Sequence, residues 1–380
     1  MSEITQFRFP TDIRFGAGAR GVLSEFAGKY EVTRPLLVTD PGLLPTPALH
    51  FVASEMDKVW PGTYVQFADV HPNPTDQDVE NAWKAYSQGN CDGIVGLGGG
   101  SALDAAKALR LKVAFPDMAL MEMPFDRVPP LVPMCAIPTT AGTGSEVGRS
   151  SVITVGQVGR KMVFGAPPLL PEMAVLDPEL TVGLPPHLTA FTGMDAMTHA
   201  IEAFVCPVFH PMCDGIALEA IRLIRLYLPT ACSDGTNLEA RGFMQVAAAM
   251  GAVAFQKDLG VAHSLAHPLS SEFGVQHGLA NAIVLPHVVR FNGEEDSHLY
   301  DRVAVALGCA EPIDDSTSWV AGFLSGFNRS IGITQRLRDV GVPRERLPEL
   351  AAKAMQDGCH LSNPRRCTEA DMLRLYGETW

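Results

Sequence analysis

The first half of the chain alternates short apolar runs with longer stretches in which apolar residues recur at helical spacing. The runs at residues 35–39 (PLLVT) and 93–97 (GIVGL) predict buried strands. Short apolar strands that alternate with helices are typical of a parallel sheet covered on both faces, so this half is predicted to be an α/β domain. The remaining strands are predicted at residues 63–67, 132–137 and 150–154, the helices at 19–29, 46–59, 76–88 and 101–110, and an edge hairpin at 7–18.

The pattern changes near the Asp-Pro pair at residue 177, after which strand signals nearly vanish. Alanine- and leucine-rich stretches follow one another from Pro186 onward, and their periodicity predicts a series of helices. Pro268 is expected to bend or end the helix that precedes it, because proline lacks the N–H that a helix interior needs. The two domains, α/β and all-helical, are therefore predicted to cover residues 1–183 and 184–380. The predicted helices lie at residues 187–204, 210–228, 237–256, 258–267, 278–291, 297–307 and 314–330.

Composition and charge exclude several classes of function. A chain of 380 residues suits two domains, and its formal net charge of −13 argues against binding to nucleic acid. We see no apolar run of membrane-spanning length and no targeting leader, so we expect no membrane association. The eight cysteines are scattered without a CxxC pair, which favours a reducing compartment and a cytoplasmic location.

Three of the eleven histidines, His263, His267 and His277, fall within seventeen residues. His263 and His267 are four residues apart, a spacing that places two side chains on one face of a helix. Asp195 and His199 have the same spacing in an apolar helical stretch upstream. A single buried histidine is more often a core residue hydrogen-bonded to a carbonyl, but two such pairs favour a metal site built from facing helices.

The predicted metal ligands are Asp195, His199, His263 and His277, which offer one oxygen and three nitrogen donors. Such a set suits Fe²⁺ or Zn²⁺, and Mn²⁺ or Co²⁺ would also fit, so the residues alone leave the ion open. His267 faces the same way as His263 one turn later, and it could serve as a fifth ligand, a structural residue or a proton relay. We favour the relay, which makes His267 the predicted catalytic residue.

Two loops rich in glycine and hydroxyl side chains follow predicted strands. The first, GGGS, opens a helix whose N-terminal amides favour a phosphate, and Ser101 is its expected N-cap. The second, PTTAGTGSEVG, offers hydroxyls suited to a pyrophosphate and a ribose. Each loop alone could be an ordinary turn, but two of them at strand ends favour a nucleotide. The residues expected to bind it are Gly98, Gly99, Gly100, Ser101, Thr139, Thr140, Thr143 and Ser145.

Asp40 follows the strand at residues 35–39 and is a candidate for binding the adenosine ribose. Its carboxylate would hold the two ribose hydroxyls and repel a 2′-phosphate, which favours NAD(H) over NADP(H). An Asp-Pro-Gly turn needs no ligand to explain it, so a simple turn is the alternative.

With these residues assembled, the chain resembles the iron-dependent (group III) alcohol dehydrogenases over nearly its whole length. The motifs that carry the resemblance occur in family order and include HPNPTDQDV, GLGGGSALDAAKA, PTTAGTGSEV, TGMDAMTHAIEAF, VAHSLAHPL, HGLANAIVLPHV and NPRRCTEAD. The resemblance implies an N-terminal dinucleotide-binding domain and a helical catalytic domain that holds Fe²⁺, or Zn²⁺, on the four predicted ligands. It adds Lys161 to the residues that line the cofactor, and it implies a homodimer or a larger homo-oligomer.

The function implied by the resemblance is hydride transfer between a primary alcohol and NAD(H), with an alcohol or aldehyde as the small-molecule partner. The segment FQKDLG at residues 255–260 departs from the FxNAxLG form common among simple alcohol dehydrogenases, so the substrate is left open. Lys257 could meet an anionic group, as on a hydroxy acid, or be a solvated lysine at a helix end. The alternatives are a dehydroquinate-synthase-like lyase, which would need a basic cluster near the metal segments, and a glycerol-dehydrogenase-like polyol oxidation.

Overall fold

The computed structural model describes Phe9, residues 11–310 and residues 314–380, and the chain forms two compact units. The first unit, Phe9–Leu184, contains the strands and four helices. Its strands are β1 (Asp12–Phe15), β2 (Pro35–Val38), β3 (Val65–Phe67), β4 (Gly93–Gly98), β5 (Met134–Pro138), β6 (Ser150–Val155), β7 (Arg160–Gly165) and β8 (Met173–Leu176). Its helices are α1 (Leu23–Tyr30), α2 (Pro47–Val59), α3 (Asp76–Gln88) and α4 (Gly100–Ala114).

Six strands form a parallel sheet in the order β1-β8-β5-β4-β2-β3. Successive residues of a strand face opposite sides, so each strand contributes to two cores. Leu37 and Val95 share one core with Val52 of α2, whereas Ile94 shares the other core with Leu103 of α4. The sheet is therefore buried on both faces, as the continuous apolar runs predict.

The chain leaves the neighbouring strands β2 and β4 in opposite directions along the sheet. β2 leads through α2 to β3, and β4 leads through α4 to β5 on the other side. Because α2 and α4 cover opposite faces, a crevice opens between the carboxyl ends of β2 and β4. In parallel α/β sheets this is the usual place for a ligand.

Two strands differ from the sequence prediction. The run at residues 150–154 is predicted to join the parallel sheet, but β6 instead pairs with β7 in an antiparallel sheet of two strands. The residues of β6 alternate between buried and half-buried, which is the pattern of a strand covered on one face. β8 is not predicted because its short run lies among prolines, yet it occupies an inner position of the sheet. Residues 7, 8 and 10 of the predicted edge hairpin lie outside the described residues, and β1 lies at one edge of the parallel sheet, with β3 at the other.

The second unit contains helices over Pro185–Trp380. They are α5 (Pro186–Val205), α6 (Pro211–Ser233), α7 (Leu238–Ala254), α8 (Val261–Phe273), α9 (His277–Gly293), α10 (Asp301–Ala306), α11 (Ser316–Ser330), α12 (Leu347–Ala354) and α13 (Glu369–Thr379). Helix α9 packs against both α5 and α8, and it also contacts α11 and α13. None of the described helices is long and apolar enough to cross a membrane.

Of the two outcomes expected at Pro268, a bend or an end of the helix, the end is wrong. Helix α8 continues through Pro268 to Phe273, and Gly274 closes it with a φ of 65°. Leu265 and Leu269, on either side of the proline, are fully buried. Their burial offsets the one backbone hydrogen bond that proline cannot make, so packing decides where the helix ends.

Candidate active site

Helix α5 carries two of the predicted metal ligands in its interior. Asp195 and His199 lie one turn apart, and their side chains are only 3% and 6% exposed. Nε2 of His199 lies 3.9 Å from Oδ1 of Asp195. A carboxylate and an imidazole removed so fully from water need polar or ionic partners, because an unpaired buried charge is costly.

Helices α8 and α9 bring two more histidines to Asp195. Nε2 of His263 lies 3.9 Å and Nε2 of His277 lies 3.4 Å from Oδ1 of Asp195. Donor atoms of these three residues lie within 4.8 Å of one another, whereas ligands of one tetrahedral ion are about 3.4 Å apart. The ring of His199 stacks on that of His263, with 4.8 Å between their centroids. The structure thus brings the four predicted ligands together, three of them as a tight group.

Glu202 is a further residue of this site, which the sequence analysis missed. It lies on α5, and its Oε2 is 2.5 Å from Nδ1 of His263. Its other oxygen accepts the backbone N–H of Ala262 at 2.7 Å. A carboxylate at Nδ1 holds the ring proton on that nitrogen and leaves the lone pair of Nε2 facing Asp195. This tautomer is the one that a metal ligand requires.

Burial sets the charges of this pair. It lowers the pKa of His263 to about 4, although the charge of Asp195 acts in the opposite direction. It raises the pKa of Glu202 to about 7, although the N–H groups of Ala262 and Gly260 favour the ionised form. The His263 ring is therefore neutral at neutral pH, as metal binding requires.

Asn281 is a second residue of the site that the sequence analysis missed. It lies one turn after His277 on α9 and is fully buried. Its Nδ2 donates to Oδ1 of Asp195 at 2.7 Å and lies 3.3 Å from Nε2 of both His263 and His277. The amide has two N–H groups, so besides Asp195 it can donate to one of these ring nitrogens, which then carries its lone pair toward the centre of the group. The chemistry of this donor set therefore fits a divalent cation.

His267, the predicted relay, lies beside this group. Its ring stacks on that of His277, with 5.3 Å between centroids, and its side chain is 21% exposed. Its Nδ1 lies 2.7 Å from Oδ2 of Asp357. Burial opposes ionisation of Asp357, but the hydrogen bond and charge of His267 outweigh it and hold the pKa of that carboxyl well below its usual range. The carboxylate orients the ring and leaves Nε2 as the nitrogen that can exchange a proton.

The glycine turn after β4 has a backbone that only glycine adopts readily. Gly98 has a φ of 150°, and a Cβ placed on it would lie 2.7 Å from Cβ of Ala102. The same Cβ would lie 3.2 Å from Oδ2 of Asp40, so the ends of β2 and β4 meet here. The other oxygen of Asp40 accepts the N–H of Gly42 at 2.9 Å, which is the expected turn, and burial raises the pKa of this carboxyl. Asp40 thus closes its own turn and also faces the glycine turn.

The loop after β5 lies against the same turn. The N–H of Thr139 donates to the carbonyl of Gly98 at 3.0 Å. A Cβ on Gly100 would lie 2.7 Å from Cγ2 of Thr143, and one on Gly99 would lie 3.4 Å from the methyl group of Thr140. The structure therefore brings the two predicted nucleotide loops together at the carboxyl edge of the sheet.

Three of the candidate cofactor residues make contacts with other parts of the first unit. Ser101 is not the N-cap of α4, which is Gly99, and its Oγ instead accepts the N–H of Asn73 at 3.3 Å. Ser145 donates its hydroxyl to Oδ1 of Asp104 on α4 at 2.5 Å. Lys161 lies on β7 opposite Thr154, in the antiparallel sheet.

Lys257 is a buried ion-pair partner. Its side chain is 3% exposed, and its Nζ lies 2.5 Å from Oδ1 of Asp214. The ammonium group also donates to the carbonyl of Phe204 at 3.1 Å. The expectation of a solvated lysine is therefore wrong, and an anionic substrate group would have to compete with Asp214 for this charge.

Comparison with known proteins identifies the family. The model of the iron-containing alcohol dehydrogenases matches residues 10–178, and the model of the C-terminal region of the Fe-containing alcohol dehydrogenase family matches residues 189–380. A 4-hydroxybutyrate dehydrogenase of Cupriavidus necator is 38% identical over 96% of this chain and 97% of its own length. Among solved structures, a 1,3-propanediol oxidoreductase has a TM-score of 0.94 at 33% identity, with full coverage of both chains. A sulfoacetaldehyde reductase from Bifidobacterium kashiwanohense, solved in complex with NAD⁺, has a TM-score of 0.89 at 28% identity over 100% of this chain and 99% of its own.

The chain belongs to the iron-containing alcohol dehydrogenase family. Membership confirms three predictions made from the sequence, namely the family, the fold class and an oxidoreductase of the alcohol dehydrogenase type. The predicted use of iron and NAD(H) agrees with this family.

Proposed function

We propose that the protein is a metal-dependent, NAD(H)-linked alcohol dehydrogenase and aldehyde reductase that acts on small primary alcohols, hydroxy acids among them. The observation that carries the proposal is the group of Asp195, His263 and His277, whose donor atoms lie within 4.8 Å of one another and could hold a metal ion. His199 is the proposed fourth ligand, and Fe²⁺ is the proposed ion, with Zn²⁺ as the alternative. The similarity to a 4-hydroxybutyrate dehydrogenase along the whole chain supports the inclusion of hydroxy acids.

The residues around the proposed ligands set their geometry. Glu202 keeps the proton on Nδ1 of His263, and Asn281 orients the carboxylate of Asp195. When bound, the ion supplies Lewis acidity, and NAD(H) accepts or supplies the hydride.

His267 is the proposed proton carrier. Oxidation of a primary alcohol by NAD⁺ gives the aldehyde, NADH and one proton, which must leave the site. Because Nδ1 of His267 is bonded to Asp357, Nε2 is the atom that can take this proton and pass it to water. A ring that is 21% exposed has access to both the buried ligands and solvent.

The proposed NAD(H) site is the crevice between the ends of β2 and β4. Gly98 has a positive φ and no side chain, which suits the close approach of a pyrophosphate. The charge of Asp40 favours NAD(H) over NADP(H). The further residues proposed to line the cofactor are Gly99, Gly100, Ser101, Thr139, Thr140, Thr143, Ser145 and Lys161. The similar sulfoacetaldehyde reductase, solved with NAD⁺, supports this cofactor.

We also propose a dinucleotide-binding domain over residues 1–183 and a catalytic helical domain over residues 184–380. A homodimer or larger homo-oligomer is proposed from the family resemblance. The proposed small-molecule partner is an alcohol or aldehyde substrate. A cytoplasmic location is proposed from the eight scattered cysteines of the sequence.

The proposal is tested by NADH oxidation with chelator-stripped protein reloaded anaerobically with Fe²⁺, Zn²⁺ or Mn²⁺. We expect one ion to restore turnover with short aldehydes or with succinic semialdehyde. His267→Ala should keep the bound ion but lower kcat by about 100-fold or more, whereas His263→Ala should lose the ion. If NADH binds but is not oxidised with any ion and aldehyde, the protein is not a dehydrogenase.

A further inference from the structure

A second group of metal-type side chains lies beside the proposed ligands. It consists of His267 on α8 and of Asp357 and Cys359, which follow α12. Donor atoms of the three residues lie within 4.8 Å of one another, and all three side chains are half-buried. We propose that these residues form a second cation site, specific for a thiophilic divalent ion such as Zn²⁺ or Cd²⁺, whose occupation inhibits the enzyme.

The three side chains are held in place by their surroundings. Oδ2 of Asp357 bonds Nδ1 of His267 at 2.7 Å, and Oδ1 accepts the hydroxyl of Ser264 and the N–H of Cys359, both at 2.9 Å. The N–H of His360 donates to the same hydroxyl at 2.9 Å, which ties the loop to α8. The contacts of Ser264 with Asp357 and His360 fix the loop, so less entropy is lost on binding an ion, although the bond between Asp357 and Nδ1 of His267 must break.

The donor set selects the ion. One nitrogen, one oxygen and one sulfur suit Zn²⁺ or Cd²⁺, and the sulfur distinguishes this set from Asp195 and its three histidines. On binding, the Cys359 thiol loses its proton to solvent, and the proton on Nδ1 of His267 is replaced by one on Nε2 through exchange with water. The thiolate and the carboxylate of Asp357 then balance the charge of the ion.

The inhibition follows because His267 is both a ligand of the second site and the proposed proton carrier. The inhibitory role therefore rests on the proposed function. A ring whose Nδ1 binds an ion and whose Nε2 carries a proton cannot accept the proton of an alcohol. Excess zinc would therefore slow turnover while the first ion stays in place.

Cd²⁺ binding tests the site without reference to activity. Protein that has been preloaded with one equivalent of Zn²⁺ is titrated with Cd²⁺, and the ultraviolet thiolate-to-metal absorption is recorded. We expect one Cd²⁺ per chain with this absorption in the native protein and in Cys232→Ser, a matched half-buried thiol on α6. The absorption should vanish in Cys359→Ser, and in Asp357→Asn it should require more than 10-fold higher Cd²⁺.

Turnover gives the second readout. In Fe²⁺-loaded protein that retains its iron, Zn²⁺ should inhibit the native enzyme and Cys232→Ser at more than 10-fold lower concentration than Cys359→Ser. A native protein without the thiolate absorption, or a Cys359→Ser protein that keeps it, would overturn the site. Equal inhibition of all three proteins would overturn the inhibitory role. An inactive protein that still shows the Cys359-dependent absorption would refute the proposed function and leave the site standing.

Discussion

The buried carboxylate of Glu202 decides which ring nitrogen of His263, a proposed metal ligand, faces the proposed ion. Glu202→Gln keeps the size of the side chain but replaces an acceptor-only group by an amide that can also donate to Nδ1 of His263. We expect it to weaken Zn²⁺ or Fe²⁺ binding by about 10- to 100-fold, measured by competition with a chromophoric chelator. Glu219→Gln, on the exposed surface of α6, is the control. Equal affinities in the native protein and both variants would show that Glu202 has no role at the ring.

The spacing of residues indicates candidate site residues on one helix but not the partners that orient them. Asp195 with His199, and His263 with His267, are recognised because each pair is one helical turn apart. Asp357 lies 90 residues from His267 in the chain, and no local pattern connects the two. The partners of a buried imidazole are decided by tertiary packing, which a single sequence does not display.

A substitution in the turn between β4 and α4 tests the proposed nucleotide site. Gly98→Ala would force an alanine into a φ of 150° and bring its Cβ to 2.7 Å from Ala102. We expect a loss of about 2 kcal/mol in the free energy of unfolding and a marked loss of NADH binding, measured by denaturation and fluorescence titration. Gly322→Ala on α11 is the matched control, because its Cβ meets open space. That control should stabilise the protein by about 0.5–1 kcal/mol and leave NADH binding unchanged. Unchanged NADH affinity in a folded Gly98→Ala protein would contradict the assignment.

The 3₁₀ helix at Ser145–Val147 contains Glu146, whose carboxyl group makes the stability depend on pH. Burial raises the pKa of Glu146 from 4.5 to about 7, opposed in part by the charge of Lys107. The folded chain then binds more protons here than the unfolded chain between pH 4.5 and 7, so this group lowers the stability as the pH rises through that range. Glu146→Gln should be more stable relative to the native protein at pH 8 than at pH 5, by about 2–3 kcal/mol, in urea denaturation. The exposed substitution Glu122→Gln is the control, and parallel pH profiles of both variants and the native protein would refute the effect.

Elements with a strong apolar pattern are predicted well from the sequence. Elements whose structure depends on the segments packed against them are not. The apolar runs of β2 and β4 are buried on both faces, as any strand of a covered parallel sheet must be. β8 has only four residues among prolines, and it becomes an inner strand because β1 and β5 pair with it. The continuation of α8 past Pro268 likewise follows from the burial of its neighbours.

An ion shared by α5, α8 and α9 would link α5 to two consecutive helices that begin more than fifty residues after α5 ends. An ion that binds only the folded chain adds about 2.7 kcal/mol of stability at 100 times its Kd. For a unit of this size we expect a rise in Tm of about 5–10 °C with Zn²⁺, seen by calorimetry. His263→Ala should lose the rise, and His298→Ala, at an exposed histidine, should keep it. A rise that persists in His263→Ala would place the stabilising ion elsewhere.

The amide of Asn281 bears on when the protein acquires its ion after synthesis. It hydrogen-bonds the oxygen of Asp195 that is proposed to hold the ion and lies within 3.3 Å of the proposed ligand nitrogens of His263 and His277, so these groups have a polar neighbour in the folded chain before any ion arrives. We therefore expect folding and metal loading to be separate events, so that one molecule can be emptied and refilled during its lifetime. The ion that it carries then reflects the supply of metals around it as much as the chemistry of its ligands.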